Sequence, residues 1–236
     1  MKKILYFVLM SALMMVACGQ KNKQEKGPGD TIRHIVVKSM SHQVDSMSVE
    51  LYKEGAVMLY GDGRLANGTT ADTIRLAVEL FRKSIAADSG QVLAYNTLVQ
   101  AYHALGQDQE ALSTLAEMEH RFADYPDVYM LHAFLLDVMK QPDEAEKYYR
   151  CAIAKWDSLL ATGGIDVSMV ANRALAVSMV EGQKKFVSEL ISAIRSNQYN
   201  VSEREMLEEL VSASREPYSR YDLARVTIQG GLKKVK

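Results

Sequence analysis

The sequence has little cysteine, proline and tryptophan, and almost no net charge. Its 236 residues include two cysteines, four prolines and one tryptophan, and the formal net charge is −1. Two cysteines cannot form a disulfide framework, and the low proline and glycine content excludes a collagen-like chain. The balanced charge leaves no broad basic field, so no nucleic-acid partner is expected. Hydrophobic residues make up 48 % of the chain, which is the ordinary usage of a globular protein.

No apolar run reaches the ~20 residues that a membrane-spanning helix needs. The uncharged run from Ile4 to Ala17 follows Met1-Lys2-Lys3 and ends at Cys18. A short basic start followed by such a run is typical of a secretory signal peptide. The sequence therefore predicts export and excludes a polytopic membrane protein.

The end of this run resembles the lipobox of bacterial lipoproteins. Residues Met15-Val16-Ala17-Cys18-Gly19 place small residues before a cysteine, with Met15 where leucine is usual. The resemblance implies that residues 1–17 are removed and that Cys18 carries the lipid, and two or three acyl chains anchor a protein stably. The alternative is a plain secretory signal in which Cys18 has no special role.

Residues 18–30 are expected to form a flexible tether, because the stretch after Cys18 has almost no apolar side chain to bury. It lacks the acidic signal that some surface-exposed lipoproteins carry. This favours an outer-membrane anchor facing the periplasm. With Cys18 acylated, Cys151 has no intramolecular disulfide partner, and helical spacing predicts that it is a small buried packing residue.

The body of the chain repeats itself every 34 residues. Segments 92–125 and 126–159 align without a gap, and Ala111 matches Ala145. A further step back reaches Ala77, which is followed by Phe81 where the later segments have Leu115 and Tyr149. A fixed period of this length is typical of stacked helical hairpins.

The repeat resembles the tetratricopeptide repeat, a helix–turn–helix unit with aromatic, small and glycine residues at fixed offsets. The matching residues are Tyr95, Leu98, Tyr102, Gly106, Ala111 and, with more drift, Pro126. The resemblance implies an all-α, tetratricopeptide-like α-solenoid over residues 31–230, with about four helical hairpins and a C-terminal capping helix. Residues 231–236 form a basic tail.

Apolar periodicity places the remaining elements. Ser202 to Glu205 is interpreted as the capping box of a late helix. Thr31–Val37 is interpreted as a strand or as an extended segment lying on the first hairpin. The predicted helices outside the central repeats are Val49–Tyr60, Thr73–Ala87, one beginning at Pro142, Val167–Val180, Lys184–Ile194 and Tyr218–Val226.

The resemblance also implies a partner-binding groove, lined by the first helix of each hairpin. Asparagine and glutamine there can hydrogen-bond a peptide backbone, and methionine and phenylalanine give adaptable apolar contact. Core packing is the alternative for Met130 and Phe134. The predicted lining is Lys53, Val57, Tyr60, Asn96, Gln100, His103, Met130, Phe134, Asp137, Asn172, Ala176 and Met179.

No pattern predicts catalysis, a metal site or a cofactor. The five histidines show no i, i+4 pair, and no HExxH, paired CxxC, phosphate-loop or GxSxG motif occurs. His132 is expected to be a satisfied core histidine. The chain is therefore expected not to be an enzyme.

Four sites have aspartate, then serine or threonine, then an apolar residue, which resembles the O-glycosylation signal of Bacteroidetes envelope proteins. The hydroxyl residues are Thr31, Ser46, Thr73 and Ser158. Helix N-capping is the alternative explanation for each.

The favoured hypothesis is a non-catalytic, lipid-anchored scaffold of the cell envelope, binding an unknown envelope protein or peptide in its groove. One alternative is an envelope lipoprotein that binds a small molecule or metal, or hydrolyses a substrate, with the repeats as a frame. Another is a homo-oligomer whose groove is filled by its own tail or tether.

Overall fold

The computed structural model describes residues 43–60, 70–162, 167–196, 198–214 and 217–229. Within these ranges the chain forms ten helices and no strand. They are α1 Ser46–Tyr60, α2 Ala71–Ala87, α3 Val92–Ala104, α4 Asp108–Arg121, α5 Pro126–Val138, α6 Pro142–Ala161, α7 Val167–Glu181, α8 Gln183–Arg195, α9 Val201–Ala213 and α10 Arg220–Gln229.

The described residues divide into two compact units. The first unit comprises the described parts of Ser41–Ala123 and Arg225–Lys236, and the second comprises Asp124–Ala224. Helices α1 to α4 therefore lie in the first unit and α5 to α9 in the second. The residues of α10 are divided between the units after Ala224.

In the first unit α1 packs on α2, and α3 packs on both α2 and α4. Ala77 and Ala111 are completely buried at matching positions of the two second helices, where only a small side chain lets helices approach closely. Gly55 serves the same purpose in α1, because a Cβ atom there would lie 2.7 Å from Cε1 of the buried Phe81 ring. The residue types at these positions are thus dictated by helix packing.

The turn between α3 and α4 recurs between α5 and α6. Between α3 and α4, the Gly106 N–H donates to the carbonyl of His103 (3.0 Å) and the Gln107 N–H to that of Tyr102 (2.9 Å). This pattern is a Schellman motif, which needs a residue with positive φ. Gly106 has φ +74°, and Lys140, 34 residues later, has φ +62°.

In the second unit α5 packs on α6, and α7 packs on both α6 and α8. The face of α6 that points inward consists of Ala145, Tyr149, Ala152 and Trp156, all at most 1 % exposed. Helix α9 packs on α8 and buries Leu207 and Leu210. Four hairpins followed by additional helices confirm the predicted all-α, tetratricopeptide-like fold class.

Two local predictions were wrong. Cys151 is exposed, because the buried face of α6 passes through Ala152, and adjacent helical residues are turned by about 100°. The capping box of α9 is formed by Asn200 and Glu203, because the helix begins at Val201, two residues earlier than the interpretation based on Ser202 requires.

The other helix predictions hold within a few residues. His132 is buried, and its ring lies against that of Tyr148 with the centroids 3.9 Å apart, as expected for a core histidine. The signal peptide, Cys18, the tether, the segment Thr31–Val37 and the basic tail lie outside the described residues. The extent of the predicted domain, residues 31–230, remains a prediction.

Candidate functional site

In the first unit, the predicted groove positions of α1 are more exposed than those of α3. Lys53 is exposed, and Val57 presents 58 % of its surface to solvent. Such exposure of a large aliphatic side chain in the middle of a helix leaves apolar area available for a partner. In α3, Asn96 is half-buried, so its amide remains within reach of solvent.

Other groove positions of the first unit are engaged within the protein. The Tyr60 hydroxyl donates to Oε1 of Gln100 (2.9 Å), and Nε2 of Gln100 donates to the carbonyl of Thr227 (3.2 Å). Burial, and secondarily the neighbouring Tyr52, raises the pKa of Tyr60, so this phenol remains protonated and donates. Gln100 therefore already holds a backbone carbonyl of the chain itself, as a peptide-binding amide would.

His103 is buried and contacts a carboxylate. Its Nδ1 lies 2.6 Å from Oδ1 of Asp108, and its side chain is 1 % exposed. The imidazole is therefore enclosed within the protein, and its role toward a partner remains a prediction.

In the second unit, the predicted groove positions are buried. Met130 and Phe134 are completely enclosed, and the Phe134 ring meets that of Tyr149 edge to face with 5.8 Å between centroids. Met179 is also buried. This environment matches the packing alternative for Met130 and Phe134, and their role toward a partner remains a prediction.

Asn172 is buried beside a carboxyl group. Its Nδ2 donates to Oδ1 of Asp127 at 3.3 Å. Burial raises the pKa of Asp127 to about 6, even though its backbone amide and Asn172 act in the opposite direction. The Asn172 amide thus donates its hydrogen bond within the protein, to the Asp127 carboxyl group.

The guanidinium group of Arg220, in α10, contacts another predicted groove residue of the second unit, Asp137 of α5. Nε of Arg220 donates to Oδ2 of Asp137 (2.7 Å) and Nη2 to the carbonyl of Pro142 (2.9 Å). The guanidinium carbon also lies 5.0 Å from the centroid of the Tyr149 ring. Sequence reasoning placed Asp137 in the lining and missed Arg220, because 83 residues separate them and no motif links them.

A shallow cleft in the first unit lies between α2 and the turn that joins α3 to α4. Its charged side chains pair locally, with Nη1 of Arg75 2.6 Å from Oδ1 of Asp72. Arg82 lies 6.0 Å from the centroid of the Tyr102 ring. With Glu79 and Glu110 also in its lining, the cleft carries three carboxylates and two guanidinium groups.

The described ranges contain neither a cluster of potential metal ligands nor a helix that could span a membrane. No group of three His, Cys, Asp or Glu side chains there could hold a metal ion. None of the helices in those ranges is both long and apolar enough to cross a membrane.

The fold and the recurring alanine crossings define a class of protein built from helical hairpin repeats. A family model described as tetratricopeptide repeat matches residues 70–135, which include α2 to α4 and most of α5. No curated protein and no solved structure matches the chain. Tetratricopeptide repeats generally serve as non-catalytic surfaces that bind other proteins, and stacked repeats present extended binding faces.

Proposed function

We propose that this protein is a lipid-anchored, non-catalytic interaction scaffold of the bacterial cell envelope. It holds an envelope protein or peptide against the first helices of its hairpins. The observation that carries the proposal is the tetratricopeptide repeat at residues 70–135, together with the exposed side chains of α1 on the predicted binding face.

The exposed part of that face suits an extended peptide. Val57 supplies apolar area, Lys53 supplies a cation one turn earlier, and the amide of Asn96 can both donate and accept. Positions four residues apart lie on the same face of a helix. The expected ligand therefore combines an apolar side chain with a nearby carboxylate or backbone carbonyl.

The anchor part of the proposal rests on sequence. Cys18 follows an uncharged run and small residues, and the lysine-rich stretch behind it contains little that could be buried. Acylation of Cys18 would fix the chain to the outer membrane, facing the periplasm. The four Asp-Ser/Thr sites are consistent with an envelope protein of the Bacteroidetes type.

A photo-crosslinking experiment in the native envelope tests the binding face. A photoreactive amino acid replaces Val57, and the matched control replaces Ser113, which is exposed on α4 of the same unit. We expect one dominant protein adduct from position 57 and none from position 113. Equal adducts from both positions, or none from position 57 in a correctly located protein, would contradict the proposal.

A further inference from the structure

Arg220 is held by three different groups that together recognise a guanidinium. The Asp137 carboxylate accepts from Nε, the Pro142 carbonyl accepts from Nη2, and the Tyr149 ring lies against the planar group at 5.0 Å. Arginine is suited to this combination because its donors have a fixed geometry and its plane stacks on aromatic rings. A lysine ammonium would lack the fixed donor geometry and the stacking plane.

The acceptor side of this pocket is fixed by contacts that do not involve Arg220. The Tyr149 hydroxyl donates to Oδ2 of Asp137 at 2.7 Å. Burial, followed by the charge of Asp137, raises the pKa of Tyr149 well above its ordinary value, so the phenol remains a donor. The Asp137 side chain is only 4 % exposed, and a carboxylate so enclosed is stable only with a cation or further donors beside it.

The segment that contains Arg220 is attached by polar contacts and by buried apolar side chains. The Tyr218 hydroxyl lies 2.9 Å from Oγ of Ser178, and the Tyr218 N–H donates to Oε1 of Gln183 at 3.3 Å. Leu223 and Ala224 are buried. These contacts place the segment 217–224 on the face of the second unit where the resemblance predicts a partner.

Helix α10 is too short to be stable alone. It has ten residues, whereas isolated helices shorter than about 12–15 residues are marginal in water. Its folding is therefore coupled to its attachment. Loss of the Arg220 contacts removes a charge-assisted anchor from a segment that has little intrinsic stability.

We propose that Asp137, Tyr149 and the Pro142 carbonyl form an arginine-binding subsite for the partner, and that Arg220 occupies it when no partner is bound. A partner segment that presents an arginine competes with residues 217–224 for this pocket. The proposal rests on the proposed function, since it assigns the partner's chemistry on the same helix face.

A peptide-binding experiment with the purified full-length protein tests the subsite. The probe is a fluorescent peptide with the sequence of residues 216–229. A second peptide, used for comparison, carries alanine in place of the arginine at 220. The proteins are the wild type, Arg220→Ala and the control Arg225→Ala, in which an arginine of the same helix that contacts Gln229 is removed. Fluorescence anisotropy gives Kd for each pair.

We expect Arg220→Ala protein to bind the arginine peptide at least tenfold more tightly than the wild type or Arg225→Ala, because its pocket has lost the internal occupant. The alanine peptide should bind Arg220→Ala at least tenfold more weakly than the arginine peptide. Adding Asp137→Asn to Arg220→Ala should abolish this preference, with helical content checked by circular dichroism. Equal binding by wild type and Arg220→Ala, or equal binding of the two peptides, would overturn the proposal.

Hydrogen exchange separates this result from folding defects. Amides 221–224 should exchange at least tenfold faster in Arg220→Ala than in the wild type, while α5 and α6 keep their protection. Unchanged exchange at 221–224 would show that Arg220 does not retain the segment. The peptide-binding and hydrogen-exchange experiments need no envelope partner. The proposal of the arginine subsite can therefore be wrong while the proposed binding face at Val57 is right, and the reverse.

Discussion

At the scale of single residues, the most informative position is the left-handed residue of the repeated turn. Gly106 and Lys140 occupy equivalent places with φ +74° and +62°, but only glycine adopts this conformation without steric cost. Lys140→Gly should therefore raise the free energy of unfolding by roughly 0.5–1 kcal/mol, after the entropy of glycine in the unfolded chain is deducted. Urea denaturation measures the change.

The reverse substitution is the matched control. Nothing lies within 4 Å of a Cβ built on Gly106, so Gly106→Ala tests conformational cost without a packing clash. It should lower the free energy of unfolding by about 1 kcal/mol. A neutral or destabilising Lys140→Gly, with Gly106→Ala destabilising, would mean that the Lys140 side chain contributes something beyond its backbone conformation.

Asp127 gives a pH-dependent prediction. Its pKa in the folded protein is about 6, raised by burial from 3.8, so the folded state binds a proton more tightly than the unfolded state. Its contribution to stability is therefore fully present below pH 4 and is lost as the pH rises to 6. Because Asp127 is only half-buried, we expect Asp127→Asn to stabilise the protein at pH 7 by about 1–2 kcal/mol.

The measurement is a pair of thermal unfolding series between pH 4 and 7. The advantage of Asp127→Asn should grow with pH across the range 4 to 6 and stay constant above it. Asparagine keeps an oxygen that can accept from Asn172, so the hydrogen bond at 3.3 Å is preserved. A constant difference between variant and wild type at every pH would exclude titration of Asp127 as the cause.

At the scale of elements, the N-terminus of α9 offers two possible capping boxes, Asn200 with Glu203 and Ser202 with Glu205, and the structure forms the first. The Asn200 side chain accepts from the Glu203 N–H (2.9 Å), and the Glu203 carboxylate accepts from the Asn200 N–H (3.0 Å). Asn200→Ala should cost about 1 kcal/mol, whereas Ser202→Ala, at an exposed position inside the first turn, should cost almost nothing. Chemical denaturation of both variants measures their free energies of unfolding. A larger loss for Ser202→Ala than for Asn200→Ala would identify Ser202 as the N-cap.

The sequence pattern predicts the hairpins because their determinants are local. Ala111 and Ala145 are 34 residues apart and both completely buried, since each repeat places a small residue at the same helix crossing. The register of α9 was harder, because two segments fit the same capping pattern. The position of Arg220 against Asp137 was not predictable, since a single ion pair between residues 83 apart leaves no periodic signal.

At the scale of the whole molecule, the two kinds of proposed contact make different chemical demands. The exposed face of α1 offers Val57 and Lys53, whereas the subsite at Asp137 requires an arginine. A partner that uses both therefore presents an apolar and acidic segment together with a separate arginine. The sequence of a partner identified by crosslinking can therefore be checked for an apolar and acidic segment and for a separate arginine.

The membrane anchor is the last property of the whole molecule to be tested. If Cys18 carries the lipid, the wild type should partition into the detergent phase on Triton X-114 extraction of the native host. Cys18→Ser should appear in the aqueous phase, because the ~0.8 kcal/mol that each buried CH₂ of an acyl chain contributes is lost. The matched control is Cys151→Ser, which removes the exposed thiol of α6 and should remain with the membrane. Recovery of Cys18→Ser in the detergent phase would refute the anchor and leave a repeat protein that reaches its partner without a lipid.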